Sequence, residues 1–412
     1  MRETRLSGLM RGVGIHPYST VLFFIHQTDC KKYVDEENSL KSDHISLVIK
    51  QRGIMKHISE LRAILSDFFD WHKCRLDCLG QIIQALFVVR TINLTQVASA
   101  FTSEVKAESS YRRVCRFFTG FTFDMSRIVL LIFRLFPLGD KCTLILDRTN
   151  WKWGKTPINI LMLSIAYKGI GIPLFWVVLN LEGNSCAEDR IDLLRRVVKR
   201  LGISKIEVLL ADREFVGTQW FRFLIEQKIS FIIRVKQNSI VEIGEGGKLP
   251  IGRLRKWLSR KKVVNHPINL WGLSLYVSIE KRKGAKEQMI VVSNCKFEDP
   301  LKMYRRRWEI ETMFGCLKTR GFRMEDTHIT DPDKIEKVVF VLAIAFCWAY
   351  RMGDIQNQIQ AIEVKTHGRK ARSLFREGLN LIRRAIFGRW NLRKFRRLFS
   401  CFTCLEPAGC TA

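Results

Sequence analysis

Three acidic residues stand out for where they fall. Asp147 closes the apolar run TLILD, Asp212 closes VLLAD, and Glu311 lies inside the basic stretch YRRRWEIETMFGCLK, residues 304–318. A carboxylate just past an apolar strand is placed at the edge of a sheet, where α/β proteins build their sites. Most strand-end aspartates merely open a turn, but two of them followed by a helical glutamate make a set. Carboxylates suit hard divalent cations, above all Mg²⁺, which takes oxygen ligands and keeps several waters. Two such ions activate an attacking water or hydroxyl and stabilise the leaving oxygen of an in-line phosphoryl displacement.

Residues 304–318 read as a helix. At about 100° per residue, Tyr304, Arg307, Glu311 and Lys318 fall within a stripe roughly 60° wide. Met303, Ile310, Phe314 and Leu317 occupy a neighbouring apolar stripe suited to packing on a sheet. A solvated i, i+4 charge ladder accounts for Arg307 with Glu311, but it has no use for Tyr304. A carboxylate among arginines makes chemical sense if a bound cation cancels its repulsion of phosphate. The flanking Arg and Lys then grip the phosphates themselves.

The elements that must position these residues follow from the hydrophobic period. From 55 to 140 the pattern is helical, and LTQVASAF followed by SSYRRVCRFF resembles a helix-turn-helix that offers Arg112, Arg113 and Arg116 to DNA. After Gly139 the period becomes that of strands: KCTLILD, INILMLSIAYKG and IPLFWVVLNL, then helix, strand IEVLLAD, helix and strand ISFIIRVK. Three hairpin-linked strands followed by alternation is the order of a ribonuclease-H-like α/β catalytic core, here spanning 141–352. A strand-rich insertion carrying basic loops interrupts it at about 239–299, and helical regions flank it on both sides. Residues 353–412 read as a basic helical C-terminal region. Residues 1–54 lack sustained periodicity and read either as a leader from an over-extended start or as a small accessory helix pair.

Composition narrows the partner. The chain has 412 residues, 69 Lys and Arg against 40 Asp and Glu, and a formal net charge of +29, with hydrophobic residues at 47%. That is a packed protein with a polyanionic partner, nucleic acid first. The longest apolar run, VVFVLAIAFCWAY (338–350), is too short to span a bilayer and reads as a buried helix. The twelve cysteines are scattered in mostly apolar contexts, as reduced thiols are. Cys401, Cys404 and Cys410, like Cys74 with Cys78, lack the second ligand pair that a zinc site needs. No P-loop lysine motif is present.

The spacing Tyr304, two residues, Arg307, three residues, Glu311, six residues, Lys318 resembles the Y-(2)-R-(3)-E-(6)-K signature of bacterial insertion-sequence transposases of the IS-four type. DRTNWKWG around Asp147 and ADREF around Asp212 are similar to that family's two other acidic motifs. The resemblance covers roughly 55–380. It implies a DDE enzyme with Asp147, Asp212 and Glu311 as a triad for two Mg²⁺ ions, Mn²⁺ substituting. Tyr304, Arg307 and Lys318 would contact phosphates near the cleavage site. A tryptophan in the insertion would stabilise a flipped base, with Trp271 the first candidate and Trp257 the second. The resemblance further implies cut-and-paste movement through a hairpin at the transposon end. The agent would be a homodimer on double-stranded DNA, bound to terminal inverted repeats and then to target DNA, in the bacterial cytoplasm at the nucleoid. Two other functions fit the residues: a nuclease that cuts without joining, and a DNA-binding remnant of an element.

Overall fold

The computed structural model describes residues 61–387 except 102–104, 121–122, 125, 180–182 and 244–245. The leader reading of 1–54, the end of the basic tail and Cys401, Cys404 and Cys410 lie outside the described residues.

A meander opens the sheet: β1 (Cys142–Trp153), β2 (Thr156–Tyr167) and β3 (Ile170–Leu179) pair antiparallel. β4 (Ile206–Ala211) and β5 (Phe231–Arg234) then join parallel on the other side of β1. The connections are helices, α5 (Ala187–Leu201) before β4 and α6 (Thr218–Glu226) before β5. The order β3-β2-β1-β4-β5 is that of a ribonuclease-H-like core. These strands read as near-continuous apolar runs because successive residues, which point to opposite faces, are buried alike.

The insertion is strand-rich, as expected, but it does not stand apart from the core. β10 (Met289–Ser293) pairs with β5, and β9 (Leu273–Glu280), β8 (Lys262–Leu270), β6 (Ile240–Ile243) and β7 (Gly247–Pro250) follow it outward, completing a ten-stranded sheet. Among the described residues, one helix interrupts the inserted strands, α7 (Ile251–Trp257).

On the N-terminal side lie α1 (Lys73–Val89), α2 (Leu94–Ser99), α3 (Ala107–Thr119) and α4 (Arg127–Leu135). α2 and α3 occupy the two segments read as a helix-turn-helix. Asn93 caps α2 by accepting from the N–H groups of Thr95 and Gln96. After the insertion come α8 (Pro300–Arg305), α9 (Trp308–Leu317), α10 (Pro332–Ile359) and α11 (Leu374–Ile386). The run 338–350 sits inside α10, whose 28 residues and apolar composition pass the length test for a membrane span. Its apolar window is nonetheless wholly buried within the protein. A helix apolar on every side needs neighbours on every side. α10 finds them in β3, in the N-terminal helices and in α11.

Two local expectations are corrected. Asp147 does not end its strand: β1 continues to Trp153 because β2 keeps pairing with it, through Trp151↔Ile158 to Trp153↔Thr156. What ends beside Asp147 is the parallel pairing with β4, whose last partners are Leu146 and Ala211. Residues 304–318 are not one helix either. The chain breaks at Arg306–Arg307, where the Arg306, Arg307, Glu309 and Ile310 amides each reach back three residues instead of four. Lys318 lies just past the end of α9, with ψ −122°.

Candidate active site

The sheet topology brings the first two aspartates side by side. Asp147 sits where β1 leaves β4, and Asp212 is the first residue beyond β4. Arg148 fastens the two motifs together. Its Nε and Nη2 donate to the two carboxylate oxygens of Glu214 at 3.1 and 3.0 Å, and it also reaches Asn159, Asn184 and the Gly183 carbonyl. A bidentate guanidinium–carboxylate pair fixes orientation as well as distance, so the DREF turn is tied to β1.

α8 and α9 add the third acid and two donors. Tyr304, buried, donates its hydroxyl to Asp212 Oδ1 at 3.2 Å. Arg307, also buried, places Nη1 2.7 Å from Asp147 Oδ2 and 3.6 Å from Glu311 Oε1. Ile310, Phe314 and Leu317 anchor α9 in the core. α9 crosses β3 so closely that a side chain at Gly171 would meet the Ile310 backbone at 3.0 Å. The break at Arg306–Arg307 still leaves Tyr304 and Arg307 facing the acids. Lys318 approaches the same strand from the far end of α9, 3.3 Å from the Asn150 carbonyl and 2.6 Å from Glu325.

Burial governs the charges. It pushes the Asp147 carboxyl up to about 7, against the pull of the Arg307 guanidinium and the Arg148 N–H. Burial opposes the charge on Arg307, but Asp147, Tyr304, Asp212 and Glu311 outweigh it and hold the guanidinium above its ordinary value. Burial and the Asp212 charge push the Tyr304 phenol far up, so it stays a donor.

All three residues expected to grip phosphate are thus engaged with acceptors of the protein itself. Among the described residues, no three His, Cys, Asp or Glu side chains converge closely enough to hold a metal ion. The donor set nevertheless fits one in kind. Asp147 and Glu311 both face a single cationic nitrogen, and the side chain of Glu311 is 40% exposed. A hard divalent ion wants carboxylate oxygens of this sort.

Of the other expected residues, Arg112 and Arg116 are exposed on α3 and Arg113 is half-buried, while Arg112 pairs with Glu108. Trp271 and Gly272 form the two-residue turn between β8 and β9, with φ of 55° and 72°. The Trp271 ring packs 5.6 Å from Phe221. Trp257 is 55% exposed at the end of α7, on a cavity of about 680 Å³ shared with His266 and Tyr276. Of the two tryptophans, Trp257 is the more exposed.

Two residues of the site escaped the sequence reading. Arg234 ends β5 beside Asp212, 4.0 Å away, and pairs with Glu287 at 3.0 Å. Its signal was an arginine closing the apolar run ISFIIR. Trp308, 65% exposed, opens α9 and lines a cavity of about 440 Å³ with Tyr304, Arg307 and Arg234. An aromatic at a position facing away from the packed stripe was its signal.

Residues 138–348 match the family model described as "Transposase DDE domain". The chain belongs to that family. A comparison with curated proteins found no match. Among solved structures, the DDE transposase described here is similar to a piggyBac transposase synaptic complex with hairpin DNA, determined by cryo-EM. The TM-score is 0.43 and the identity 11%, covering 89% of this chain and 86% of that one. It is also similar to an endonuclease V from Bacillus subtilis, with TM-score 0.22 and 12% identity over 50% of this chain and 83% of that one. The fold stands on the strand order of this transposase and not on either likeness.

Proposed function

We propose that this transposase cuts and rejoins the ends of an insertion sequence of the IS-four type by Mg²⁺-dependent phosphoryl transfer. The observation that carries this reading is the convergence on Arg307 of Asp147 and Glu311, with Asp212 held beside them by Tyr304. Asp147, Asp212 and Glu311 would hold two Mg²⁺ ions, or Mn²⁺, which when bound supply charge neutralisation and an activated oxygen nucleophile. The remaining work belongs to the chain's own groups. Arg307, Tyr304 and Lys318 exchange their internal acceptors for phosphate oxygens, and Arg148 with Glu214 keeps the two aspartates in register. Trp257, ahead of Trp271, offers a ring to an unstacked base.

The domain reading follows from the same function. Residues 55–140, with Arg112, Arg113 and Arg116, contact the terminal inverted repeats. Residues 141–352 cut, and 353–412 clamp DNA or the second copy of a homodimer. Movement is cut-and-paste through a hairpin end, at the bacterial nucleoid. The test uses purified full-length protein, linear DNA carrying the element's own ends, Mg²⁺ and an EDTA control on a denaturing gel. Hairpin and joined products that vanish with EDTA are expected. Glu311→Gln should abolish them, by at least about a hundredfold, while DNA binding persists. Metal-dependent cuts without joining would replace the proposal with a nuclease, and binding without cuts with a DNA-binding remnant. Normal cutting by Glu311→Gln would overturn the metal assignment.

A further inference from the structure

Away from the carboxylates, five arginines from three separate elements meet. Arg90 follows α1, Arg320 and Arg323 lie in the loop after α9, and Arg376 and Arg383 stand seven residues apart on α11. Arg90 Nη2 and Arg376 Nη2 both donate to the Arg320 carbonyl, at 3.4 and 2.7 Å. The Nε atoms of Arg90 and Arg383 are shut off from solvent and have no hydrogen-bond partner. Burial lowers the Arg90 pKa, and the charges of Arg376, Arg383 and Arg323 lower it further. Arg90 and Arg323 adopt left-handed backbone, φ 59° and 46°, a conformation uncommon for such residues.

Neutralising groups are few. Asp326 lies 3.9 Å from Arg323 and also accepts from Thr91. Glu325 is engaged by Lys318 and Glu377 by Arg372. Arg383 also lies over the Phe387 ring. A neighbouring cavity of about 320 Å³ extends the positive surface with Lys168, Lys370 and Ser373, beside Arg320 and Arg376. Lys168 is already held by Asp354. Like charges gathered with buried donors unused are costly in the free protein. Planar guanidinium forks match phosphate oxygens better than any other anion on a polymer. The loop that carries Arg320 and Arg323 begins at Lys318, whose Nζ lies 3.3 Å from the Asn150 carbonyl on the strand that carries Asp147.

We propose that Arg90, Arg320, Arg323, Arg376 and Arg383 form a cradle for the phosphodiester backbone of the DNA whose scissile phosphate lies at Asp147, Asp212 and Glu311. This rests on the transposase reading above. Its contacts are to backbone, so it contributes affinity and register without reading sequence.

The test measures binding of full-length protein to labelled duplexes in EDTA, from low to high KCl, by fluorescence anisotropy. One duplex carries the element's end and one is unrelated. Replacing Arg90, Arg376 and Arg383 together by Gln should make the slope of log K against log salt shallower by about two to three for both duplexes. The corresponding Lys variant should restore most of the slope. Arg383→Gln alone should change it by about one. The Gln variant should melt at or above the wild-type temperature, because it removes mutual repulsion; a residue set serving packing would melt lower with Lys or Gln alike. An unchanged slope in the Gln variant, beside a wild type that still cuts in Mg²⁺, would overturn the cradle and leave the proposed function standing. A wild type that binds neither duplex would sink both.

Discussion

At the scale of single residues, the site is defined by one cation shared among acids. Arg307 Nη1 serves Asp147 and Glu311 together, and Tyr304 occupies Asp212. The free enzyme therefore stores its carboxylates against its own donors. Asp147 is the residue that feels this most, because burial pushes its carboxyl up to about 7. The unfolded value is about 4, so the folded protein binds the proton more tightly between those two pH values. Stability from this group is complete below about pH 4 and is lost as the pH rises through 7. The melting temperature of metal-free wild type minus that of Asp147→Asn should accordingly fall from pH 4 to pH 7. A difference that stays flat across that window would show that Arg307 keeps the carboxylate ionised throughout. The three acids were legible in sequence because their types and order are unusual. Their mutual contacts were not, since a side chain's partner depends on packing that no spacing encodes. Trp271 illustrates the limit: the turn and Phe221 claim it, while Trp257 stays open.

At the scale of elements, hydrophobic period predicted the strands and helices but not where they stop. β1 was expected to end at Asp147 because polar residues begin there, yet hairpin pairing with β2 carries it to Trp153. The stretch 304–318 keeps a helical period across its break, so the break was invisible in the pattern. Helix contacts made through glycine are equally hard to read. α10 and α11 cross at Gly353 and Gly378, where an added Cβ would overlap the carbonyl oxygens of Leu374 and Ala349 respectively. Neither glycine has a left-handed backbone to announce it; the requirement is close approach alone. Since α11 carries Arg376 and Arg383, this crossing also sets the arginine cluster. Gly378→Ala should destabilise the protein by about 3 kcal/mol, because the clash is with backbone and cannot be relieved by a rotamer. Gly139→Ala, where an added Cβ meets nothing within 4 Å, is the control. Urea midpoints for the two variants check this, and equal midpoints would show that the helices separate without penalty.

At the scale of the whole molecule, the catalytic core and the N-terminal helices share one apolar interior. α10 is its centre. Trp176 on β3 donates from Nε1 to the Glu336 carbonyl, and Glu336 Oε1 accepts from the Val178 amide at 3.2 Å. One turn further along, Phe340 packs against Phe69, Trp71 and Phe123 at 5.4, 5.9 and 5.0 Å, and Trp348 meets Phe87 of α1 at 5.3 Å. Phe346 stacks on Phe375 of α11 at 5.5 Å. The family match covers only 138–348, yet a fragment with those bounds would strip α10 of its partners on two sides. Exposing Phe340, Phe346 and Trp348 together costs on the order of 2 kcal/mol for each side chain, comparable in sum to the whole stability of an ordinary domain. The 138–348 fragment should therefore aggregate or melt without a cooperative transition, whereas a 55–387 fragment should unfold in one sharp step. Circular dichroism melts of the two fragments decide it. A cooperative melt of the shorter one would mean that the ten-stranded sheet and the part of α10 up to Trp348 hold together without the helices that cover them, and that the N-terminal helices are a separable attachment.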